Sequence, residues 1–308
     1  MNVLKGVLLK TASALLFAVM AALIRYLGQE YPLGQVVFFR SAFAILPVVV
    51  IYAWRRELAL AVRTRRFPGH VGRGLIGAAG MFFTFGALAR LPLAEATALS
   101  FAAPLITVAL AALLLKERVR IYRWSAVAVG FGGVVVMLLP HLDPAAAATR
   151  SASSGVGAVL AIVAAFCSSA AVIQTRRLTD TETTPSIVFY FSLVCSFAGL
   201  ATLPLGWRMP DGPALAALVS AGVVGGVAQI FLTESYRYAP ASVIAPFDYT
   251  TLLWAFGLGY LMFGEVPPGI VFVGAAIVTL AGLFVLWRER QLGLMERRAK
   301  VEGPPTAV

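Results

Sequence analysis

Ten long apolar runs, separated by short segments that hold most of the charges, constrain this chain more than any other feature of its sequence. Each run is close to the length of about 20 residues that a helix needs to cross the hydrocarbon core of a bilayer. The runs are Leu4–Tyr26, Leu33–Trp54, Gly72–Leu88, Leu93–Leu115, Trp124–Leu139, Gly155–Gln174, Ile187–Leu205, Ala214–Leu232, Ser242–Phe263 and Gly269–Trp287. Lipid offers the backbone no hydrogen-bond partners, so a spanning segment is either a helix or part of a closed barrel. The runs are continuously apolar rather than alternating, which excludes the barrel. The sequence therefore predicts an all-α integral membrane protein with ten transmembrane helices.

Composition agrees with lipid as the main surroundings of the chain. Hydrophobic residues make up 60% of the sequence and charged residues only 13%, whereas soluble domains contain about 25% charged residues. The net charge of +11 would point to nucleic acid in a soluble protein. Here the charges lie between apolar runs, so we interpret them as signals for membrane orientation and expect no nucleic-acid partner.

The distribution of basic residues predicts how the chain is oriented. With the N-terminus in the cytoplasm, 20 of the 25 Lys and Arg residues fall on the cytoplasmic side, as the positive-inside rule requires. Arg25, Arg90, Arg150 and Arg208 fall outside, and Arg40 is left within a span. Because the number of spans is even, both termini are expected in the cytoplasm.

The second half of the sequence repeats the first. A shift of 148 residues superimposes Gly74 on Gly222, Gly77 on Gly225, Pro92 on Pro240 and Glu117 on Glu265. These matches involve glycine, proline and glutamate rather than the apolar residue types that are common in every span. The segment Phe38–Ser41 superimposes on Phe189–Ser192 at a shift of 151. We predict a first five-helix repeat over residues 1–140, an external linker over 141–154, a second repeat over 155–288 and a cytoplasmic tail over 289–308.

An odd number of spans in each repeat has a mechanical consequence. The second copy enters the membrane upside down, so a pseudo-two-fold axis relates the two copies. Such a pair can enclose one site near the midplane and expose it to either side in turn by rocking.

Several features of the sequence, taken together, resemble those of a known protein family. The features are the duplicated five-span unit, the Arg in FFRS of the second run, the short LPLAEA turn, and LLLKERV, which YLMFGEV echoes near the ninth run. Together they resemble the EamA-type transporters of the drug/metabolite transporter superfamily over essentially the whole chain. The runs VVFFRSAFAILPVVVIYAW and YRWSAVAVGFGGVVVML are also similar to a bacterial subgroup that includes riboflavin importers, and to relatives that export amino acids or metabolites or carry S-adenosylmethionine.

The resemblance implies a secondary transporter for a small organic solute, in a bacterial cytoplasmic (inner) membrane. It implies a ten-helix fold with a central cavity and no metal, nucleotide or other cofactor. The solute, the direction of transport, the coupling ion and the oligomeric state stay open.

Other classes of protein receive less support from the residues. The two histidines, His70 and His141, are predicted in loops on opposite sides, and the sequence contains no HExxH or GxSxG motif and no phosphate-cradling loop. We therefore do not expect an enzyme. A lipid-handling or flippase-type protein could have the same arrangement of spans, and it is the alternative function.

Charged residues inside the spans are candidates for function, because each costs at least about 2.5–3.5 kcal/mol at the membrane centre. One hypothesis pairs Arg40 with Glu95, or with a solute carboxylate; the alternative is that Arg40 only caps loop carbonyls. A second hypothesis pairs Lys10 with Asp248 at the cavity floor, with Glu234 near its inner rim. A carboxylate there could bind a coupling proton; the alternatives are a static ion pair or a snorkelling Lys10.

Asp248 also begins a polar and aromatic patch, FDYTTLLW, for which the first repeat offers only Ser100 at the equivalent position. This asymmetry predicts that the second repeat supplies polar contacts to the solute. Gln229 and Tyr249 could add hydrogen bonds, and Phe82 and Trp254 could stack on a flat solute. The alternative for these side chains is ordinary packing between helices.

Overall fold

The computed structural model describes residues 3–54, 56, 58–114, 121–142, 152–179, 181–239 and 241–302. All regular secondary structure in these ranges is helical. The first repeat contains α1 (Val3–Leu27), α2 (Leu33–Trp54), α3 (Leu58–Val62), α4 (Phe67–Leu88), α5 (Leu93–Ser100), α6 (Ala102–Leu114) and α7 (Ile121–Leu142). The second contains α8 (Ala152–Thr179), α9 (Thr184–Leu200), α10 (Gly212–Tyr238), α11 (Ala241–Ile244), α12 (Thr250–Phe263) and α13 (Gly269–Glu302), with 3₁₀ turns at Leu203–Leu205 and Ala245–Tyr249.

Polar caps fix where several of these helices begin. The Asp211 side chain accepts a hydrogen bond from the backbone N–H of Ala214 at 2.8 Å, at the start of α10. The Thr183 hydroxyl accepts one from the backbone N–H of Ser186, at the start of α9. Each cap satisfies a backbone donor that the first helical turn leaves without a partner.

Nine helices in the described ranges are long and apolar enough to cross a membrane. They confirm nine of the ten predicted runs, and the chain is a multi-pass membrane protein. The tenth run, Ser242–Phe263, is built from three pieces: α11, the 3₁₀ turn Ala245–Tyr249 and α12. Pro246 lies in this 3₁₀ turn and has no backbone N–H to donate, which favours a break in the helix at this point.

Several boundaries differ from those predicted. The helix α4 begins at Phe67 rather than Gly72, and α13 runs on to Glu302 rather than ending at Trp287. Residues 288–302 of α13 are mostly polar in sequence, and a helix can continue past the hydrocarbon core where water solvates such side chains. Residues 143–151 of the predicted linker and 303–308 of the predicted tail lie outside the described residues, and the domain boundaries stay predictions.

The packing of the helices follows the inverted repeat. In the two repeats α1 corresponds to α8, α2 to α9, α4 to α10 and α6 to α12. The contact of α1 with α10 therefore corresponds to that of α4 with α8, and the contact of α2 with α10 to that of α4 with α9. In the same way, the contact of α1 with α12 corresponds to that of α6 with α8. The remaining main contacts join equivalent helices, α2 with α9 and α7 with α13. Each of these contacts thus has its counterpart under exchange of the two halves, which is the pattern that a pseudo-two-fold axis produces.

Equivalent glycines make equivalent close approaches between the halves. A Cβ added to Gly74 on α4 would lie 2.6 Å from the Cβ of Val194 on α9, and a Cβ added to Gly222 on α10 would lie 2.5 Å from that of Phe43 on α2. Phe43 and Val194 are themselves related by the shift of 151 residues. The repeated glycines therefore let helices of the two halves pack at the short range that membrane proteins use.

The two interrupted spans meet each other. The fourth span is broken at Phe101, between α5 and α6, and the ninth is broken at the 3₁₀ turn that ends at Tyr249. Phe101 and Tyr249 are equivalent at the shift of 148 residues, and their rings stack with centroids 4.9 Å apart. The breaks therefore face one another across the axis, beside the space that the two halves enclose.

Candidate functional site

A cavity of about 160 Å³ lies between the two halves. Helices α1, α4 and α5 line it from the first repeat, and α8 and α12 from the second. Five hydroxyl side chains contribute to its wall; they are Thr84, Thr97, Ser100, Ser168 and Thr251. Nearly all its other lining residues are alanines, so we call it the hydroxyl cavity.

Three of these five hydroxyls are ordered by their own helices. Thr84 donates to the carbonyl of Gly80 at 2.8 Å, and Thr97 donates to that of Leu93 at 2.7 Å. Ser100 donates to the carbonyl of Thr97 at 2.6 Å. Because the protons of these three hydroxyls are used within their helices, their oxygens keep acceptor capacity for a second group. The wall therefore favours a solute that carries N–H or O–H donors together with apolar surface.

An ion pair joins the two halves next to Leu88, which lines this cavity. We call the end of the bundle where α1 ends the distal end, and the end where α1 begins the proximal end. At the distal end Arg25 on α1 donates to a carboxylate oxygen of Glu265, which follows α12. Arg25 also donates to the carbonyl of Leu88 at 2.9 Å, and Glu265 accepts the backbone N–H of Leu93 at 2.8 Å. We call this cluster the distal clamp; its two charged side chains are only 11% and 12% exposed.

A glycine in the left-handed region directs Glu265 into the distal clamp. Gly264 ends α12 with a φ of 65°, which other residues adopt only at a cost. The chain then turns back, and the N–H of Glu265 donates to the carbonyl of Gly259 at 3.1 Å. Sequence reasoning did not single out this cluster, because Arg25 and Glu265 lie at the ends of their spans and only charges well inside the spans were candidates for function. The available signal was a Gly-Glu pair directly after an apolar run.

The structure brings Lys10 and Asp248 together. Lys10 Nζ on α1 lies 2.6 Å from Asp248 Oδ1 in the 3₁₀ turn, and the lysine side chain is 2% exposed while that of Asp248 is 50% exposed. Lys10 also lies over the ring of Tyr236, 5.4 Å from its centroid. The pair links the two halves on the proximal side of the hydroxyl cavity. What it does in binding or coupling stays a prediction, as does the part of Glu234, which is half-buried on α10.

Asp248 and Tyr249 also border a second space. It has a volume of about 200 Å³ and lies between α6, α7, the 3₁₀ turn and α13. Its wall is otherwise apolar. It is separated from the hydroxyl cavity by the break in the fourth span, where Ser100 lines the hydroxyl cavity and Phe101 lines this one.

Arg40 and Glu95 are placed among different helices. Glu95 is 3% exposed on α5, and α5 packs mainly against α8 and α12. Arg40 instead lines a cavity of about 70 Å³ together with Arg73 and Gln229. This cavity lies between α2, α4, α9 and α10, and we call it the arginine cavity. Sequence reasoning named Arg40 and Gln229 as candidates but counted Arg73 among the cytoplasmic charges. The one signal for Arg73 in the sequence was its position inside the third predicted run.

The two predicted stacking residues lie in different surroundings. Phe82 is partly buried and packs against the core of the bundle. Trp254 is 37% exposed on the surface, because Leu252, Ala255 and Gly259 form the buried face of α12. Trp254 therefore lies where lipid would contact it, and its predicted stacking on a solute receives no support from this position.

The described part of the chain holds no cluster of three or more His, Cys, Asp or Glu side chains that could bind a metal ion. The polar side chains that line the cavities carry hydroxyl, amide and charged groups.

The chain is similar to known membrane transporters. The EamA-like transporter family matches the chain twice, over residues 4–139 and 155–287. The pseudopaline exporter CntI of Pseudomonas aeruginosa is 31% identical over 281 residues, which cover 90% of this chain and 94% of that protein. A riboflavin transporter of Rhizobium johnstonii is 30% identical over 288 residues, covering 92% and 91%. An S-adenosylmethionine uptake transporter of Rickettsia prowazekii is 32% identical over 271 residues, covering 87% of each.

A solved crystal structure has the same fold. It superimposes with a TM-score of 0.63 at 18% sequence identity, covering 92% of this chain and 98% of the other. The family and the names of these relatives indicate a small-molecule transporter of a bacterial inner membrane rather than an enzyme. The two matched segments, the inverted bundle and the cavity between its halves lead to one conclusion: the chain belongs to the EamA-like transporter family.

Proposed function

We propose that this protein is a secondary transporter that carries a small organic metabolite by alternating access. The observation that carries the proposal is the hydroxyl cavity, whose wall comes from both halves of an inverted repeat. In such repeats a solute site at the interface becomes exposed to each side when one half rocks against the other. The distribution of Lys and Arg supports an orientation with both termini in the cytoplasm.

The distal clamp gives this cycle a physical gate. Arg25 from the first half and Glu265 from the second hold the distal ends of α1 and α12 together. Opening the cavity on that side requires the pair to separate. Separation costs less in water than in a buried site, because water solvates both charges as the gap opens. The closed clamp therefore favours the state in which solute exchanges at the proximal end.

The relatives supply candidate solutes. Pseudopaline, riboflavin and S-adenosylmethionine are the compounds named for three similar transporters. All are organic molecules with several polar groups, which suits a cavity that combines hydroxyl oxygens with apolar wall. Because those relatives include both an exporter and an uptake transporter, the direction of transport does not follow from similarity.

The test is transport by the purified protein in proteoliposomes. Radiolabelled riboflavin, S-adenosylmethionine and a set of amino acids would be offered one at a time, with protein-free liposomes as the baseline. We expect saturable uptake of at least one compound, and exchange with the same compound loaded inside. Scrambling of a fluorescent lipid in the same vesicles, without movement of any solute, would instead support a lipid-handling protein.

A matched pair of variants ties transport to the hydroxyl cavity. Thr97→Leu fills part of that cavity and is expected to reduce uptake strongly. Thr107→Leu on α6 serves as the control, because Thr107 makes the same kind of hydrogen bond, to the carbonyl of Ala103 at 2.8 Å, but does not line the hydroxyl cavity. Equal uptake by the two variants would contradict the assignment of the site.

A further inference from the structure

We infer that the arginine cavity binds a carboxylate group of the transported solute between Arg40 and Arg73. The inference rests on the proposed transport function and adds to it a class of substrate, namely organic anions.

The first argument is the lack of partners for two buried guanidinium groups. Arg40 Nε and Arg73 Nη1 are both buried and make no hydrogen bond. Arg73 Nε donates to Thr175 Oγ1 at 3.0 Å, but no Asp or Glu lines the cavity. Among the residues that the structure describes, neither arginine forms an ion pair. Guanidinium groups in a membrane interior are rare and costly unless an acceptor or counter-charge meets them.

The second argument is the nature of the remaining wall. Ser192 on α9 and Gln229 on α10 face the arginines from the second half, and both are neutral. The Arg73 guanidinium carbon lies 4.1 Å from the centroid of the Phe191 ring. Stacking on that ring holds the guanidinium plane and leaves its edge for hydrogen bonding. Two guanidinium groups with neutral neighbours, one of them held by a ring, form a site for an oxyanion, because each fork matches a pair of anionic oxygens.

The third argument is size. The cavity volume of about 70 Å³ accommodates about five water-sized groups. That is room for a carboxylate and one or two attached carbons rather than for a whole vitamin or nucleoside. The cavity therefore fits the anionic end of a larger solute, or a small organic acid as a whole.

The position of the cavity gives the anion a part in the transport cycle. Helices α2 and α4 belong to the first half, and α9 and α10 to the second. An anion between them neutralises two like charges and can hydrogen-bond to both halves at once. Occupancy would thus favour the arrangement in which the halves are close around the cavity.

The experiment uses the purified full chain in detergent without added lipid, in a low-chloride HEPES buffer. The midpoint of thermal unfolding would be followed against increasing propionate, with propionamide as the neutral isostere and inorganic phosphate as a second oxyanion. A ligand that binds only the folded protein raises this midpoint in proportion to its occupancy. We expect saturable stabilisation by propionate and none by propionamide. Stabilisation by phosphate alone, or equal effects of propionate and propionamide, would overturn a carboxylate site.

Replacement of the arginines gives a sharper signature. Arg40→Met and Arg73→Met should each raise the half-saturating propionate concentration about tenfold to a hundredfold, the loss expected for one charged hydrogen bond. The same variants should unfold at a higher temperature than the wild type when no anion is present, because an unpaired buried charge has been removed. Arg90→Met is the matched control, since Arg90 donates to the carbonyl of Gly86 on its own helix and lies outside the cavity.

A structural role for the arginines predicts the reverse. In that case Arg40→Met and Arg73→Met would be less stable than the wild type or fail to fold, and either result would overturn the proposal. Stabilisation by phosphatidylglycerol added to the detergent, with no effect of propionate, would assign the site to a lipid phosphate and would also overturn it. The outcome is independent of transport: solute uptake without propionate binding refutes only the anion site, and propionate binding without any solute uptake refutes only the transport function.

Discussion

At the scale of single residues, the pair Glu182 and His70 shows how a loop charge can hold the two halves together. Glu182 lies between α8 and α9, and its carboxylate accepts the backbone N–H of Arg65 at 2.8 Å. His70 Nε2 on α4 lies 3.3 Å from its second oxygen, and both side chains are almost fully buried. Burial acts to raise the pKa of Glu182, but the backbone N–H groups of Arg65 and Arg66 and the His70 ring lower this pKa below its usual value.

The lowered pKa leads to a prediction about stability and pH. A carboxylate whose folded-state pKa is depressed stabilises the fold above the unfolded pKa of about 4.3, and the stabilisation is lost as the pH falls through the folded-state value. We therefore expect Glu182→Gln to unfold at a lower temperature than the wild type at pH 7. This gap between the two unfolding temperatures should disappear below about pH 4. Thermal unfolding across this range would measure the gap.

The control for this prediction is Glu30→Gln, because Glu30 is an exposed carboxylate at the opposite end of the bundle. Its unfolding temperature should follow that of the wild type at every pH. A gap between Glu182→Gln and the wild type that does not change with pH would show that shape rather than charge is lost at Glu182.

At the scale of helices, the broken spans are where polar groups enter the bundle. Helix α5 ends at Ser100, and the 3₁₀ turn before α12 contains Asp248, at the equivalent position of the other repeat. Backbone irregularity at membrane depth is tolerated where it borders a cavity, and both breaks do so. The second break carries a carboxylate and the first a hydroxyl, so that only the second can neutralise the buried Lys10 of α1.

The Lys10–Asp248 pair can be tested as a unit. Asp248→Asn leaves a buried ammonium without its counter-charge, and removal of one partner of a buried pair costs about 3–5 kcal/mol; exposure of Asp248 places the expected loss below this range. The double variant Lys10→Met/Asp248→Leu should recover stability, because an apolar pair of similar size replaces the ions. We expect both variants to take up less solute into proteoliposomes than the wild type does.

The comparison of the two variants separates function from structure. A double variant that folds and transports at the wild-type rate would show that the pair is only a structural link. Recovery of stability without recovery of transport would place the pair in the cycle. If uptake by the wild type is also independent of pH and Asp248→Asn is fully active, a coupling proton at Asp248 is excluded.

At the scale of the whole molecule, the two halves are joined at both ends of the hydroxyl cavity by side chains of opposite charge. The distal clamp joins α1 to the end of α12, and Lys10 joins α1 to the turn before α12. Helix α1 also packs along α10. Movement of one half against the other must therefore change the contacts of α1, which makes this helix the main element through which the two ends communicate.

A cross-link at the distal clamp tests this rocking motion. In a background of Cys167→Ala and Cys195→Ala, the pair Arg25→Cys/Glu265→Cys would be bridged by a bifunctional thiol reagent that reduction cleaves. We expect solute uptake to be lost on bridging, because the distal end can no longer open, and to return after reduction. Each single cysteine variant with the same reagent is the control. Unchanged uptake by the bridged protein would contradict the clamp as a gate.

Sequence alone determined the class of fold. Apolar runs of spanning length require helices in lipid, and the matching glycines and prolines identify the repeat, so the inverted ten-span architecture could be predicted without coordinates. The pairing of Lys10 with Asp248 was also within reach, because both lie about two turns inside the same end of their spans. The interruption of the ninth span could be suspected from Pro246 but its 3₁₀ turn could not.

Only the tertiary structure decided which polar groups meet. It moved Arg40 away from Glu95 and beside Arg73, joined Arg25 to Glu265, and placed Trp254 on the surface. The physical reason is that spans apolar on all sides show no periodic stripe to fix their rotation. Depth in the membrane can be counted from the sequence, but the direction in which a side chain points is set by the packing of ten helices against one another.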